Sequence, residues 1–256
     1  MSETRGILAY GAHVPYWRLD RAEIGTFLGV SVGRGYRAVA SFDEDAVTMG
    51  VAAARSALAV SGVGAPNAIW FSTVAPPYLD KTNASVIHAA LRLDVSVPAL
   101  DFSGAQRSAV GALRTALEGG GSTLVVAADI RAGRPGGTED GGGGDAAAAV
   151  LVGTPDDGPL LAEYLGGATA TAEFTDRWRT PGDVHSRTWE DRFGEQAYAP
   201  LGRMAWSDAL ATTDLAAEDV DVAVVTGLHT RAVRKVGSGL SVAVADDRTS
   251  DVGNSG

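Results

Sequence analysis

The chain of 256 residues contains no cysteine. That one absence excludes disulfides, thiolate zinc sites, iron–sulfur clusters and any cysteine nucleophile. Aromatic residues are scarce at 7%, while glycine alone supplies 33 positions. Such a balance favours helices packed closely on sheets over a sandwich of bulky strands. Basic runs are missing too, and the net charge is −10. Nucleic acid and anionic membrane are therefore poor partners, because both need clustered Lys and Arg. No apolar run approaches the roughly 20 residues needed to span a bilayer. The first residues, with Glu3 among them, lack the apolar core of a secretory signal. These absences together lead to the expectation of a soluble protein of a reducing cytoplasm.

What is present centres on Asp101–Leu117, read DFSGAQRSAVGALRTAL. A short apolar strand over Val97–Phe102 runs into the small-residue turn Ser103-Gly104-Ala105. Val110, Leu113 and Leu117 then recur at helical spacing, which predicts a helix from about Gln106. A strand-to-helix elbow aims backbone N–H groups and the positive end of the helix dipole at one spot, which suits a nucleophile whose anion needs stabilising. The residue at this elbow is Gln106, and a primary amide donates and accepts hydrogen bonds but does not attack. Ser103 and Ser108 flank it without a base at fixed spacing and read as helix-start or packing serines.

Elsewhere the chain alternates strand and helix patterns. Gly6–Tyr10 reads as a strand, and Asp20 as the cap of a helix over Arg21–Leu28. The Gly33-x-Gly35 loop follows no strand and reads as a turn. Asp43, Glu44 and Asp45 suit the start of a long helix reaching Val60. Strands are predicted at Ala68–Thr73, Thr123–Ala128, Asp145–Val152, Leu160–Leu165 and Asp221–Thr226, and helices at Asn83–Leu91, Gln196–Thr212 and Arg231–Leu240. Arg131–Gly144 (RAGRPGGTEDGGGG) reads as a flexible surface linker. Phe174–Glu195 is dense in Trp, Arg and acids. Either it lines a pocket, or Trp178, Trp189 and Phe193 pack on a surface while the charges pair around them. His13, His88 and His185 have no ligand-like partners at metal spacing and read as structural or surface residues.

The two halves echo each other. A long helix, a short turn, a strand and a loop occur at Asp43–Ala75 and recur at Gln196–Thr230. The expected division is 1–158 and 159–256. The second half stops where the counterpart of the elbow would begin, so the chain reads as a fragment or a shortened protein with an incomplete second half.

Four stretches, in order, resemble the thiolase superfamily, in particular its hydroxymethylglutaryl-CoA synthase and ketoacyl synthase III branch. They are SFDEDAVTMGVAAARSAL (Ser41–Leu58), DFSGAQRSAVGAL (Asp101–Leu113), GDAAAAVLVG (Gly144–Gly153), and the pair GLHTRAVRK (Gly227–Lys235) and VGNSG (Val252–Gly256). The resemblance implies an α/β protein with a five-layer αβαβα fold from two duplicated halves, a homodimer, and an acyl-CoA or acyl-carrier thioester as substrate with no further cofactor. It places the family's histidine at His229, the asparagine of ketoacyl synthase III at Asn254, and loosely its basic CoA contact at Lys235 or Arg234. The family's cysteine falls at Gln106, and the glutamate of hydroxymethylglutaryl-CoA synthases near Val74, so both are replaced.

Without a nucleophile no acyl-enzyme is expected. On this resemblance, His229 and Asn254 would stabilise a thioester enolate, with Gln106 a third donor. That chemistry serves carbon–carbon bond formation, decarboxylation of a malonyl-type thioester, or retro-aldol cleavage. Glutamine in place of the cysteine has a family precedent among ketosynthase-like decarboxylases. Taken singly, a strand-end histidine is often structural, and Asn before Ser-Gly is often a turn residue. A reading of another class also stands: a non-catalytic subunit that binds a partner, such as the small OB-fold or zinc-ribbon proteins that accompany related synthases.

Overall fold

The structure, a computed structural model, describes residues 3–31, 34–246 and 249–255. Gly33 of the glycine loop and Gly256 of the final motif lie outside the described residues. In chain order the elements are β1 (Gly6–His13), β2 (Trp17–Asp20), α1 (Arg21–Leu28), β3 (Tyr36–Val39), α2 (Ala46–Ser61), β4 (Ala68–Thr73), α3 (Ala84–Ala90), β5 (Ala99–Ser103), α4 (Arg107–Glu118), β6 (Thr123–Asp129), α5 (Thr138–Gly142), β7 (Ala146–Gly153), β8 (Ala162–Glu163), β9 (Arg177–Trp178), β10 (Arg187–Thr188), α6 (Asp191–Thr213) and α7 (Thr230–Gly237). They form two compact units. The first takes in the described residues up to Arg131, Pro135–Tyr164 and Thr249–Ser255. The second takes in Ala132–Arg134 and the described residues from Leu165 to 246.

The first unit is built on a six-stranded sheet of order β5-β4-β6-β7-β1-β8. Strand β4 runs parallel to β5 and β6, while β7 pairs antiparallel with both β6 and β1. Alternation along the strands divides their side chains between two faces. Ile69, Phe71, Leu124, Val126, Ala149 and Leu151 pack with α2 and α3 on one face. Trp70, Val125, Val150 and Val152 pack with α4 on the other. The result is an α/β/α sandwich. Helix α2 fits closely because it offers Ala53, Ala54 and Ala57, all fully buried.

Local chemistry sets the helix ends. Asp20 caps α1 as expected, and Gly29 closes it in the left-handed conformation. Helix α2 begins three residues later than the acidic run suggested. Asp45 is its cap, in a reciprocal pair with Thr48, and the two acids before it lie outside the helix. Helix α3 is capped from across the sheet edge, where Asp101 of β5 accepts from the Asn83 and Ala84 N–H groups at 2.7 Å each. Arg5 donates to the carbonyls of Ala116 and Gly121 and so ties down the C-terminal end of α4.

The helix predicted from Val110, Leu113 and Leu117 forms, and Leu113 and Leu117 pack on the sheet beside the fully buried Ala112 and Ala116, while Val110 is 65% exposed. Two expectations are corrected. Arg131–Gly144 is no solvated linker. It contains α5, and Arg131 is 3% exposed. The strand expected at Asp221–Thr226 is reduced to one parallel bridge, Ala223 with Val244, and Val222 and Val224 remain exposed. Its partner segment offers only the Ala243 carbonyl and the Ala245 N–H to Ala223. Among its described residues, the second unit is otherwise the β9–β10 pair, one short 3-10 turn over Ala217–Asp219 and the packed helices α6 and α7.

Candidate functional site

The elbow forms where the sequence placed it. Strand β5 ends at Ser103, Gly104 takes φ +109°, and α4 starts behind Gln106. That φ favours glycine and allows the abrupt change of direction. Gln106 holds the N-cap position with helical backbone angles and makes no side-chain cap. Its Nε2 is sealed from water and has no hydrogen-bond partner among the described residues. The Ser108 hydroxyl donates to the Ser103 carbonyl at 3.0 Å, which makes Ser108 a helix-start serine.

Asn254 belongs to the same unit and is held by its backbone. Its N–H donates to the Gly142 carbonyl at 2.9 Å, and its own carbonyl accepts from the Gly144 N–H at 3.1 Å. Two residues earlier, the Val252 carbonyl accepts from Ala38 of β3 at 2.6 Å. The final segment thus lies between β3 and the glycine run. Beneath that run is a buried ionic network. Arg37 donates to the Arg131 carbonyl at 2.8 Å and to Asp140, and Arg131 pairs with Glu139 at 2.7 Å. Asp145 accepts from the Arg131 and Ala40 N–H groups. Neither Arg37 nor Asp145 stood out in the sequence as part of this site. The one available signal was an unbroken GGGG before an aspartate, and composition alone reads that as a linker.

At the ends of β4 and β6, Asp129 accepts from the Thr73 hydroxyl and the Val74 N–H at 2.9 and 2.7 Å. Burial pushes its carboxyl above the ordinary range, against the lowering pull of these donors and of Arg131. Val74, near which the resemblance places the glutamate of hydroxymethylglutaryl-CoA synthases, thus offers Asp129 a backbone group and no acid.

His229 lies in the second unit, at the N-cap of α7. Its Nδ1 accepts from the Ala232 N–H at 3.1 Å. That bond assigns the neutral ring's proton to Nε2. Nε2 is buried without a partner among the described residues. The ring meets Tyr198 of α6 edge-on, with centroids 6.0 Å apart. Arg234 and Lys235 are exposed in the last turn of α7, where their charge also suits the helix dipole.

The remaining histidines are engaged elsewhere: His13 with Glu44, His88 with the Asp94 carbonyl, and His185 with the Ala132 carbonyl. Trp189 and Phe193 stack edge-on at an exposed surface with Arg192 over the Phe193 ring. Among the described residues, no three His, Asp or Glu side chains are grouped to hold a metal ion, and no helix is long and apolar enough to cross a membrane. An open cleft of about 430 Å³ runs along α1 past Arg21, Thr26 and Val30, and none of the residues singled out above lines it.

The fold and the elbow define a protein of the thiolase type. The structure is similar to that of the 3-oxoacyl-(acyl carrier protein) synthase III of Pseudomonas aeruginosa, with TM-score 0.84 at 18% identity over 99% of this chain and 85% of that one. In sequence, the chain is 33% identical over 201 residues to a hydroxymethylglutaryl-CoA synthase of Thermococcus gammatolerans, covering 75% of this chain and 57% of that synthase. It is 30% identical over 253 residues to a hydroxymethylglutaryl-CoA synthase of Methanopyrus kandleri, covering 93% of this chain and 71% of that protein. The chain belongs to the hydroxymethylglutaryl-CoA synthase family of the thiolase superfamily. It spans less than two thirds of the length of the Thermococcus gammatolerans synthase. No protein-family model matches it.

Proposed function

We propose that this chain acts on acyl-CoA or acyl-carrier thioesters and makes or breaks a carbon–carbon bond beside the thioester through an enolate, without an acyl-enzyme. The observation that carries this reading is a pair of orphaned donors. Gln106 Nε2 and His229 Nε2 are each buried without an acceptor among the described residues. An unmet buried donor costs about 1–3 kcal/mol, a cost relieved when a ligand oxygen arrives. A thioester oxygen that gains negative charge in the transition state is the acceptor such donors reward most. His229 and Asn254 hold the enolate in this reading, and Gln106 donates from the elbow. Arg234 and Lys235 meet the phosphates of the carrier.

Decarboxylation is the simplest case. The bond between the carboxylate and the α-carbon of a malonyl thioester breaks, its electron pair enters the enolate, carbon dioxide leaves, and the α-carbon takes a proton. A retro-aldol cleavage of a hydroxymethylglutaryl-type thioester would use the same enolate. A homodimer fits the edge position of β5, where Leu100 is 50% exposed and Val95, in the turn before the strand, is 96% exposed. A cytoplasmic setting fits the substrate class.

One observation favours a second reading, a non-catalytic subunit that binds an OB-fold or zinc-ribbon partner. His229 Nε2 lies so close to Gly194 that a Cβ there would sit 2.5 Å from it, which leaves little room for a substrate atom. The test is incubation with acetyl-, malonyl- and hydroxymethylglutaryl-CoA, read by intact mass, thermal melting and product analysis. Carbon dioxide or cleavage product without a covalent adduct supports the enolate reading. An adduct refutes the absence of an acyl-enzyme. No melting shift and no product with any thioester leaves the non-catalytic reading.

A further inference from the structure

We propose that Tyr198 is a positioning residue for His229, its ring forming one wall of the seat in which the imidazole is fixed. The proposal deepens the enolate reading and takes its catalytic meaning from it. Gly194 and Tyr198 are one turn apart on α6, so they share a face. That face meets the imidazole twice. Tyr198 presents its ring at 6.0 Å between centroids and 63° between planes. Gly194 offers bare backbone, since a Cβ there would lie 2.5 Å from Nε2 and 2.6 Å from Cδ2. The third restraint is the Ala232 N–H on Nδ1.

Tyr198 is itself fixed from two sides. The Phe174 ring meets it edge-on at 6.0 Å and 88°. Its hydroxyl donates to the Asp176 carboxylate. Asp176 is anchored in turn, because its carbonyl accepts from the Trp189 N–H at 2.6 Å and its N–H donates to the Phe174 carbonyl at 3.2 Å. The aromatic and acidic stretch that read as either pocket lining or surface packing therefore has a third use. It braces Tyr198, and through it His229. If the imidazole turned about its Cβ–Cγ bond, Nδ1 would leave the Ala232 N–H and the Nε2–H would point elsewhere. An enolate held by that N–H would lose its donor.

The experiment uses the full chain with 15N-labelled histidine, the His229 signals being identified by their loss in H229Q. In the unmodified chain the two ring nitrogens are expected to be widely separated, one a protonated donor and one an acceptor. Y198F keeps the ring and its Phe174 contact and is expected to retain that separation. Y198L is expected to draw the two signals together as the ring rotates and exchanges tautomers, and to lower the kcat for malonyl-CoA decarboxylation by about tenfold to 100-fold with little change in KM. G194A, whose Cβ must push the ring off its seat, is a second route to the same narrowing should Y198L fail to fold. Unchanged nitrogen separation in Y198L or, where Y198L does not fold, in G194A overturns the proposal, as does equal narrowing in Y198F and Y198L. If the unmodified chain releases no carbon dioxide, the enolate reading fails, and the nitrogen separation still decides whether Tyr198 positions His229.

Discussion

Two alanine substitutions, two residues apart in one glycine run, should separate sharply. A Cβ at Gly144 would lie 2.0 Å from the Val252 carbonyl oxygen and 2.8 Å from Gly253 Cα. Both are backbone atoms and cannot rotate away, so the final segment must retreat by more than an ångström. Three hydrogen bonds cross that seam: Gly144 N–H to Asn254 O, Asn254 N–H to Gly142 O, and Ala38 N–H to Val252 O. At a net value near 1 kcal/mol apiece, their loss costs about 2–4 kcal/mol. For a chain of this size that corresponds to a Tm lowered by roughly 5–15 °C. At Gly142 nothing lies within 4 Å of the added Cβ, and the residue is in α5. G142A should match the unmodified chain or gain up to about 1 kcal/mol from helix propensity. Calorimetry gives the two Tm values, and hydrogen exchange at the Ala38, Gly144 and Asn254 amides shows whether the seam opened. Equal stability of G144A and G142A, with those amides still protected, would refute the close approach of the final segment to the glycine run.

Three further outcomes are expected. Q106C places a thiol at the N-terminus of α4, where the helix lowers its pKa; the chain has no cysteine of its own, so intact mass after acetyl-CoA should show one added acyl group, and none would contradict the elbow's role. Burial pushes the Glu44 carboxyl up, but the Ser41 N–H and the His13 ring outweigh it and hold the carboxyl below 4.5. Its contribution to stability is therefore present above pH 4.5 and lost as pH falls through the lower folded value, so E44Q should flatten the acid limb of a Tm–pH curve. Burial, followed by the hydrogen bond and charge of Asp176, raises the Tyr198 phenol well above 10.0; any stability from that shift is present below pH 10.0 and lost as pH rises through the folded value. D176N should bring its ionisation down in an ultraviolet titration without restoring the ordinary value, and an unchanged curve would show that Asp176 does not hold the hydroxyl.

What the sequence revealed depended on how far apart the deciding residues lie. The cap at Asp20, the strand at Ala68–Thr73 and the turn before α4 are each fixed by neighbours within a few residues, and each was legible. The glycine run was not. Gly144 must be bare because of Val252 and Gly253, more than a hundred positions later, and nothing nearby distinguishes that need from a linker's freedom. The helix itself was legible in the spacing of Val110, Leu113 and Leu117, but which of its residues meet the sheet was not: Leu113 and Leu117 pack there beside Ala112 and Ala116, while Val110 turns outward.

The same division by distance runs through the candidate site. Gln106 and Asn254 take their places from backbone: an elbow closed by local turns in one case, a seam of main-chain hydrogen bonds over buried ions in the other. Among the described residues, the His229 ring accepts a backbone hydrogen bond at Nδ1, meets the Tyr198 edge and lies against bare backbone at Gly194. A backbone-held group moves only when its unit moves. A ring held by packing can turn while the fold stays intact. Substitutions around Asn254 should therefore show up first as lost stability, and substitutions around His229 first as altered chemistry at unchanged Tm. Of the groups this reading assigns to the enolate, the histidine is thus the one whose catalytic role can be separated from its part in holding the structure.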